Sequence, residues 1–119
     1  MLNINMEFRK GILFVRLSGH LEACNCQMLD DELKALVDGR SIRFLTFNVS
    51  NLDYIDVDGI NAILKYDDAL SKINGKALIC GVDNELVKLR VHNSKMPYCM
   101  FETSDELGAI NYINLGGYL

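Results

Sequence analysis

The sequence predicts an α/β domain: a mixed sheet of five strands with four main helices and an antiparallel strand at its N-terminal edge. Three observations carry this reading. Leu2, Ile4, Met6 and Phe8 alternate with polar residues, which is the two-residue period of a strand with one wet face. A second β-rich run, 12–18, follows after only Lys10-Gly11, the spacing of a tight antiparallel hairpin. Beyond it, apolar strand-like runs alternate with stretches of helical period, as in β-α-β units whose strands run parallel.

The elements follow in order. Gly19 closes the second strand. Met28, Leu29, Leu33, Leu36 and Val37 recur at helical spacing, with Gly39 as the stop. Residues 44–49 are nearly continuous in apolar character, as expected of an inner strand. Ile60, Ile63, Leu64, Leu70 and Ile73 mark one face of a second helix, predicted to start within 58–60 and to end at Asn74-Gly75. Residues 77–82 are the next strand, after which Asp83 is placed to cap a short helix carrying Leu86, Val87 and Val91. A last strand is predicted over 98–101. Thr103-Ser-Asp-Glu106 has capping-box spacing ahead of Leu107, Ile110 and Ile113. Nothing linker-like or repetitive divides the pattern, so residues 1–114 read as one domain and 115–119 as a loose tail. Strands in sequential order would put the crossover helices mostly on one face, because each β-α-β step crosses over with the same hand.

Composition narrows the function. The chain has 119 residues, half of them apolar, which suffices for one core without metal or disulfides. Asp and Glu number 16 against 12 Lys and Arg, for a net charge of −4. No dense basic block occurs, so nucleic acid is not expected as a direct partner. No run approaches the roughly 20 apolar residues of a membrane span, and the alternating start is unlike a signal peptide. No membrane insertion is expected, and the protein is expected to be cytoplasmic. Cys80 and Cys99 lie in apolar runs, where a thiol acts as a small hydrophobe. Cys24 and Cys26, two apart with only His20 nearby, make a poor zinc set; a redox pair is the lesser alternative to reduced, structural cysteines.

The most informative stretch is Asn51-Leu-Asp-Tyr-Ile-Asp-Val-Asp-Gly59. It leaves an apolar strand and enters a helix, with Asp53, Asp56 and Asp58 crowded at the junction. Loops at such junctions sit on a rigid frame beside unpaired helix N–H groups, so they are frequent binding sites. Three carboxylates argue against a phosphate cradle and for a protein-binding surface. One of Asp56 and Asp58 is expected to cap the helix that begins near Gly59.

Other chemistries lose their mechanism. Gly11, Gly19, Gly59 and Gly75 are turn or element-end glycines, and no dinucleotide or P-loop spacing exists. His20 and His92 are far apart, with no triad logic. Asp53, Asp56 and Asp58 could hold Mg²⁺ for phosphoryl transfer. That chemistry needs a further acid at an earlier strand end, which Glu22 could supply, and a lysine after a later strand, which the 77–82 run lacks. A Mg-dependent site is therefore the weak alternative. No catalytic, cofactor-binding or metal residue is expected.

Tyr54-Ile-Asp-Val-Asp-Gly-Ile60, with Leu17-Ser-Gly-His-Leu-Glu22 and Thr103-Ser-Asp-Glu-Leu107, resembles a STAS domain of the stand-alone anti-sigma factor antagonist type, over residues 2–114. The resemblance implies a STAS-like mixed five-stranded sheet and a regulatory, non-enzymatic role: binding an anti-sigma factor or related kinase-like protein. In that family the junction reads Asp-Ser-Ser-Gly or a close variant, and the serine after the aspartate is phosphorylated by the partner. The family's aspartate maps onto Asp56, its glycine onto Gly59, and its phosphoacceptor onto Val57, which has no hydroxyl. Asp58 puts a fixed charge nearby, weaker than a phosphate. The partner surface implied comprises Gly19, His20, Leu21, Asp53, Ile55, Asp56, Val57, Asp58, Gly59 and Asn61. A STAS module of another assembly, in lipid transport or stress signalling, is the alternative.

Overall fold

The computed structural model describes residues 1–39 and 42–116. Its elements are β1 (Leu2–Arg9), β2 (Ile12–Leu21), a 3-10 turn (Ala23–Asn25), α1 (Cys26–Asp38), β3 (Phe44–Ile55), α2 (Val57–Ser71), β4 (Lys76–Cys80), α3 (Glu85–His92), α4 (Met96–Cys99), β5 (Phe101–Thr103) and α5 (Glu106–Asn114). The five strands form one sheet in sequential order. β1 pairs antiparallel with β2, and the β2–β3, β3–β4 and β4–β5 pairs are parallel. The predicted mixed sheet with an N-terminal antiparallel edge is the one observed. Four helices are long, and α4 adds a single turn.

The hairpin turn forms because Lys10 and Gly11 both take positive φ, 57° and 80°, as a two-residue turn between twisted strands requires. Strand alternation then sorts side chains to two faces. Leu13, Val15, Leu17, Leu45, Phe47, Val49, Ala77 and Ile79 share one core with the buried sides of α1, α2 and α3. Ile12, Phe14 and Leu78 face the other way and pack on Ala109, Ile110 and Ile113 of α5. The first three long helices thus lie on one face, as sequential strand order demands, and α5 alone among them covers part of the other. α1 and α2 are tied by Asp30, which accepts from Lys65 Nζ at 2.7 Å and from the buried Tyr66 hydroxyl.

Several boundaries differ from the sequence reading. The last strand lies at Phe101–Thr103, and 96–99 is a helical turn instead of a strand. Pro97 explains the shift: its fixed φ suits a first helical turn, where its missing N–H costs nothing. Ser94 Oγ accepts from Met96 N at 3.1 Å at its start. Cys99 is consequently exposed, not part of a strand core. α3 is capped by Asn84, whose side-chain oxygen accepts from Leu86 and Val87 N, and not by Asp83. α5 is capped by Asp105, not Thr103. Thr103 stays in β5 and donates its hydroxyl to Asp105 O at 2.8 Å. Leu107 and Leu86 face solvent. α2 starts one residue before the predicted window and ends at Ser71; at Asn74-Gly75 it is Asn74 that takes the left-handed conformation, φ 59°. Of the predicted tail, Leu115 and Gly116 close α5 through backbone bonds to Asn111 and Ile113, and 117–119 lie outside the described residues.

α5 is held by an ion-pair network at its first residue. Arg16 grips Glu106 with two bonds, Nε–Oε2 at 2.7 Å and Nη2–Oε1 at 2.8 Å. Asn48 Nδ2 donates to the same carboxylate at 2.8 Å. Arg16 also reaches Glu7 at 2.8 Å and Asn5 at 3.1 Å, so one guanidinium links β1, β2 and α5. The hydrogen bond from Arg16 holds the Glu106 carboxyl below its ordinary value, outweighing the opposing effect of burial. One buried group is left over: among the described residues Thr46 Oγ1, fully enclosed in β3, has no hydrogen-bond partner.

Two outcomes are expected. Glu106→Ala should cost about 1–3 kcal/mol at neutral pH, since it removes two charge-assisted bonds from Arg16 and one from Asn48. Because the folded-state pKa is depressed, this contribution is complete above the unfolded value of about 4.3 and is lost as pH falls through the folded one. Urea unfolding from pH 7 downward should show the gap between wild type and variant narrowing as pH falls through the depressed folded-state value. Thr46→Val replaces an unpaired hydroxyl by a methyl of similar size and should stabilise by about 0.5–2 kcal/mol in the same assay; a loss of stability would mean the hydroxyl is satisfied.

Candidate functional site

The acidic junction is built where β2 and β3 end side by side. Their parallel register sets His20 against Tyr54 and Leu21 against Ile55. β3 then turns directly into α2, with Asp56 as N-cap in extended conformation, φ −107° and ψ −176°. Asp56 Oδ1 accepts from Gly59 N at 2.8 Å, and Oδ2 accepts from Ala23 N at 3.1 Å. Its own N–H donates to Leu21 O at 3.2 Å. One carboxylate therefore caps α2 and fastens the turn after β2.

That turn carries its own organiser. Asn25, nearly buried, accepts from Glu22 N at 2.9 Å and donates to His20 O at 2.8 Å. Gly19 takes φ +93°, and a Cβ there would meet Met1 O at 2.2 Å. Gly59 is needed for a different reason: a Cβ would lie 2.5 Å from Leu21 O and 2.9 Å from Ile55 Cγ1. The glycine lets the first turn of α2 lie directly on the end of β2.

The ten residues singled out by sequence gather at this one junction, but they divide into frame and surface. Leu21 and Ile55 are fully enclosed in the core, and Gly59 is buried within the first turn of α2, against the end of β2. They shape the site and are not available for contact. His20, Asp53, Val57, Asp58 and Asn61 are exposed. Val57, the first residue of α2, is 66% exposed. Gly19 and Asp56 are intermediate. Among the described residues neither Asp53 nor Asp58 has a hydrogen bond or ion pair through its side chain. Both oxygens of Asp56 are already committed to backbone N–H groups, and the described residues contain no group of three His, Cys, Asp or Glu arranged to hold a metal.

The sequence reading omitted two contributors. Tyr54, half-buried beside the acidic residues, meets the His20 ring at 5.7 Å between centroids, and Arg90 of α3 lies 5.0 Å over the Tyr54 ring. Arg90 therefore sets a cation over the Tyr54 ring. Tyr54 stood inside the quoted motif; Arg90 lies 36 positions further on and no local pattern marks it. The cysteines do not complete a site: all four are free, Cys80 is buried, and Cys26 Sγ donates to Glu22 O at 3.2 Å. Burial first, then the charges of Asp56 and Asp58, push the Cys26 thiol up, making it a poor nucleophile.

A five-stranded mixed sheet with an antiparallel N-terminal edge and a helix-capping aspartate at the β3–α2 junction defines a single-sheet α/β domain. The chain belongs to the STAS domain family, whose model matches residues 3–107. Among curated relatives it is 27% identical to the anti-sigma F factor antagonist of Paenibacillus polymyxa, over 74% of this chain and 75% of that protein. Its fold is similar to that of an anti-sigma factor antagonist from Mycobacterium paratuberculosis, with TM-score 0.83 at 15% identity, covering 96% and 95% of the two chains. It is also similar to the unphosphorylated form of the antagonist SpoIIAA, with TM-score 0.75 at 14% identity over 94% and 98%. No described helix is long and apolar enough to cross a membrane.

The frame can be tested apart from any partner. Asp56→Ala removes both carboxylate acceptors of the Gly59 and Ala23 N–H groups and should cost about 1–2 kcal/mol, at the upper end for an N-cap. Gly59→Ala should also destabilise, although alanine is normally the better helix residue by about 1 kcal/mol. The clash here is with the Leu21 carbonyl, which cannot swing away. Thermal unfolding that found Gly59→Ala neutral or stabilising would show that α2 and β2 can separate freely.

Proposed function

We propose that this chain is an anti-sigma factor antagonist that cannot be switched at the family's usual position. It binds an anti-sigma factor or related kinase-like regulator through His20, Asp53, Val57, Asp58 and Asn61, with Gly19 and Asp56 at the rim, and so relieves inhibition of a sigma factor. In this reading the chain is not an enzyme, uses no cofactor and works in the cytoplasm. The observation that carries the reading is Val57: it occupies the first position of α2 with its side chain open to solvent, where a partner can reach it and where it has no hydroxyl to accept phosphate. Exposed carboxylates without internal partners favour encounter with a basic surface, and Arg90 beside Tyr54 supplies one opposite charge for register.

The test uses the purified chain, ATP and the kinase-like protein recovered with it by pull-down. Wild type should bind, gain no phosphate in 56–59, and stay bound when ATP is added. Val57→Ser should gain phosphate at that residue and be released. Phosphate on wild type at Ser50 or Tyr54, with release, would overturn the unswitched reading. Recovery of transporter or stress-complex subunits alone would favour a STAS module of another assembly.

A further inference from the structure

The edge of β1 carries a knob and a matching hollow. Phe8 projects from its C-terminal end, 59% exposed. At its N-terminal end Leu2, Asn3 and Ile4 line a hollow of about 330 Å³ with Met28, Asp31 and Glu32 of α1. Leu2, Ile4, Met6 and Phe8 alternate along one strand and so point to the same face, and Ile4 and Met6 are only half-covered by the core.

β1 is also an open edge. It is eight residues long and pairs with β2 without a bulge. It contains no proline, and its two charges, Glu7 and Arg9, are confined to its C-terminal half on the face opposite Leu2 and Phe8. Proline, bulges and charges are the devices by which edge strands resist pairing, and the stretch from Leu2 to Met6 has none of them. A two-residue turn is closed by the hydrogen-bonded pair Arg9–Ile12. The odd residues of β1 therefore bond to β2, and the even ones turn their N–H and C=O groups outward.

We propose that this edge is a dimer interface, in which β1 pairs antiparallel with β1 of a second copy about a two-fold axis at Asn5. This register sets Leu2 opposite Phe8 of the second copy and Ile4 opposite its Met6, bringing all four outward-facing residues of each strand into hydrogen-bonding position. Each Phe8 arrives at the hollow beside the other copy's Leu2, Ile4 and Met28. On the other face Asn3 meets Glu7, and Asn5 meets Asn5. Charge selects this alignment over its neighbours. An axis at Glu7 would set two carboxylates face to face, and an axis at Met6 would place Phe8 opposite Ile4 and leave Leu2 facing Lys10. Such an interface is isologous and closes on itself, so it forms dimers and not fibres.

The experiment is sedimentation of the full chain across a concentration series, with cysteine cross-linking to read the register. Wild type should pass from 13.4 kDa to about twice that mass as concentration rises. Phe8→Lys should raise the dissociation constant at least tenfold, with an unchanged melting temperature at concentrations low enough that both proteins are single chains, because Phe8 is exposed there. In a background with Cys24 and Cys99 replaced by serine, Asn5→Cys should form a disulfide dimer under mild oxidation, and Asn3→Cys should not. A wild type that remains monomeric at millimolar concentration, a Phe8→Lys dimer as tight as wild type, or equal cross-linking at positions 3 and 5 would each overturn the proposal.

Discussion

The carboxylate of Asp56 is the constraint on which the acidic junction depends. A helix that begins straight after a strand leaves its first N–H groups unpaired, and a turn leaving a neighbouring strand has the same problem. Asp56 answers both at once, through Gly59 N and Ala23 N. Its backbone N–H meanwhile continues the β2–β3 pairing to Leu21. The start of α2 is therefore fixed to two strands and one turn. The close approach is possible because position 59 has no Cβ to strike Leu21 O. Asp56 and Gly59 work as a pair: one supplies the acceptors, the other the room.

The opposite face of the sheet solves a different problem. α5 is nine residues long and buries only Ala109, Ile110 and Ile113, a modest apolar contact for a helix that must stay in place. Arg16 adds a directional anchor. Its planar fork meets Glu106 with two parallel bonds, geometry that a lysine could not reproduce. The carboxylate is mostly shielded from solvent while the guanidinium is about a third exposed, at 15% and 31% of side-chain area. The pair is thus neither a wet surface contact nor a deeply desolvated one. Its contacts to Glu7 and Asn5 extend the same anchor to the edge strand.

Local physics made much of this legible in the sequence. The hairpin could be read from Lys10-Gly11 because turn geometry is decided within two residues. The parallel strands followed from the alternation of β and helical periods. Reading failed where competing local signals were equally good. The sequence narrows the cap to Asp56 or Asp58 but not to one of them, and only the end of the β2–β3 ladder decides for Asp56. Residues 96–101 are apolar enough for a strand, and Pro97 was the available sign that the run begins as a helical turn. Asp83 lost the cap of α3 to Asn84, one residue nearer the helix. Long-range partners had no signal at all: nothing near Tyr54 announces that Arg90 will lie on its ring. Membership of the surface was also hidden: Ile55 stands two residues before Val57 in one motif, yet it ends β3 inside the core, whereas Val57 opens α2 with its side chain in solvent.

Position 57 can change its side chain without changing the frame. The first helical residue makes no demand on its side chain: its N–H is an orphan in any case, and here the side chain points into solvent. A serine, a valine or a charged residue would leave the Asp56 bonds and the Leu21–Gly59 contact untouched. Asp58 is equally free of internal partners, and its charge at the first turn favours α2 by roughly 0.3–1 kcal/mol whatever it meets outside. It does not reproduce a phosphate on residue 57. It carries one negative charge where a phosphate carries about 1.5–2, and it stands one residue further on, about 100° around the helix axis. The frame thus separates two kinds of position: Asp56 and Gly59 are fixed by folding, and the side chains of residues 57 and 58 answer to no internal partner.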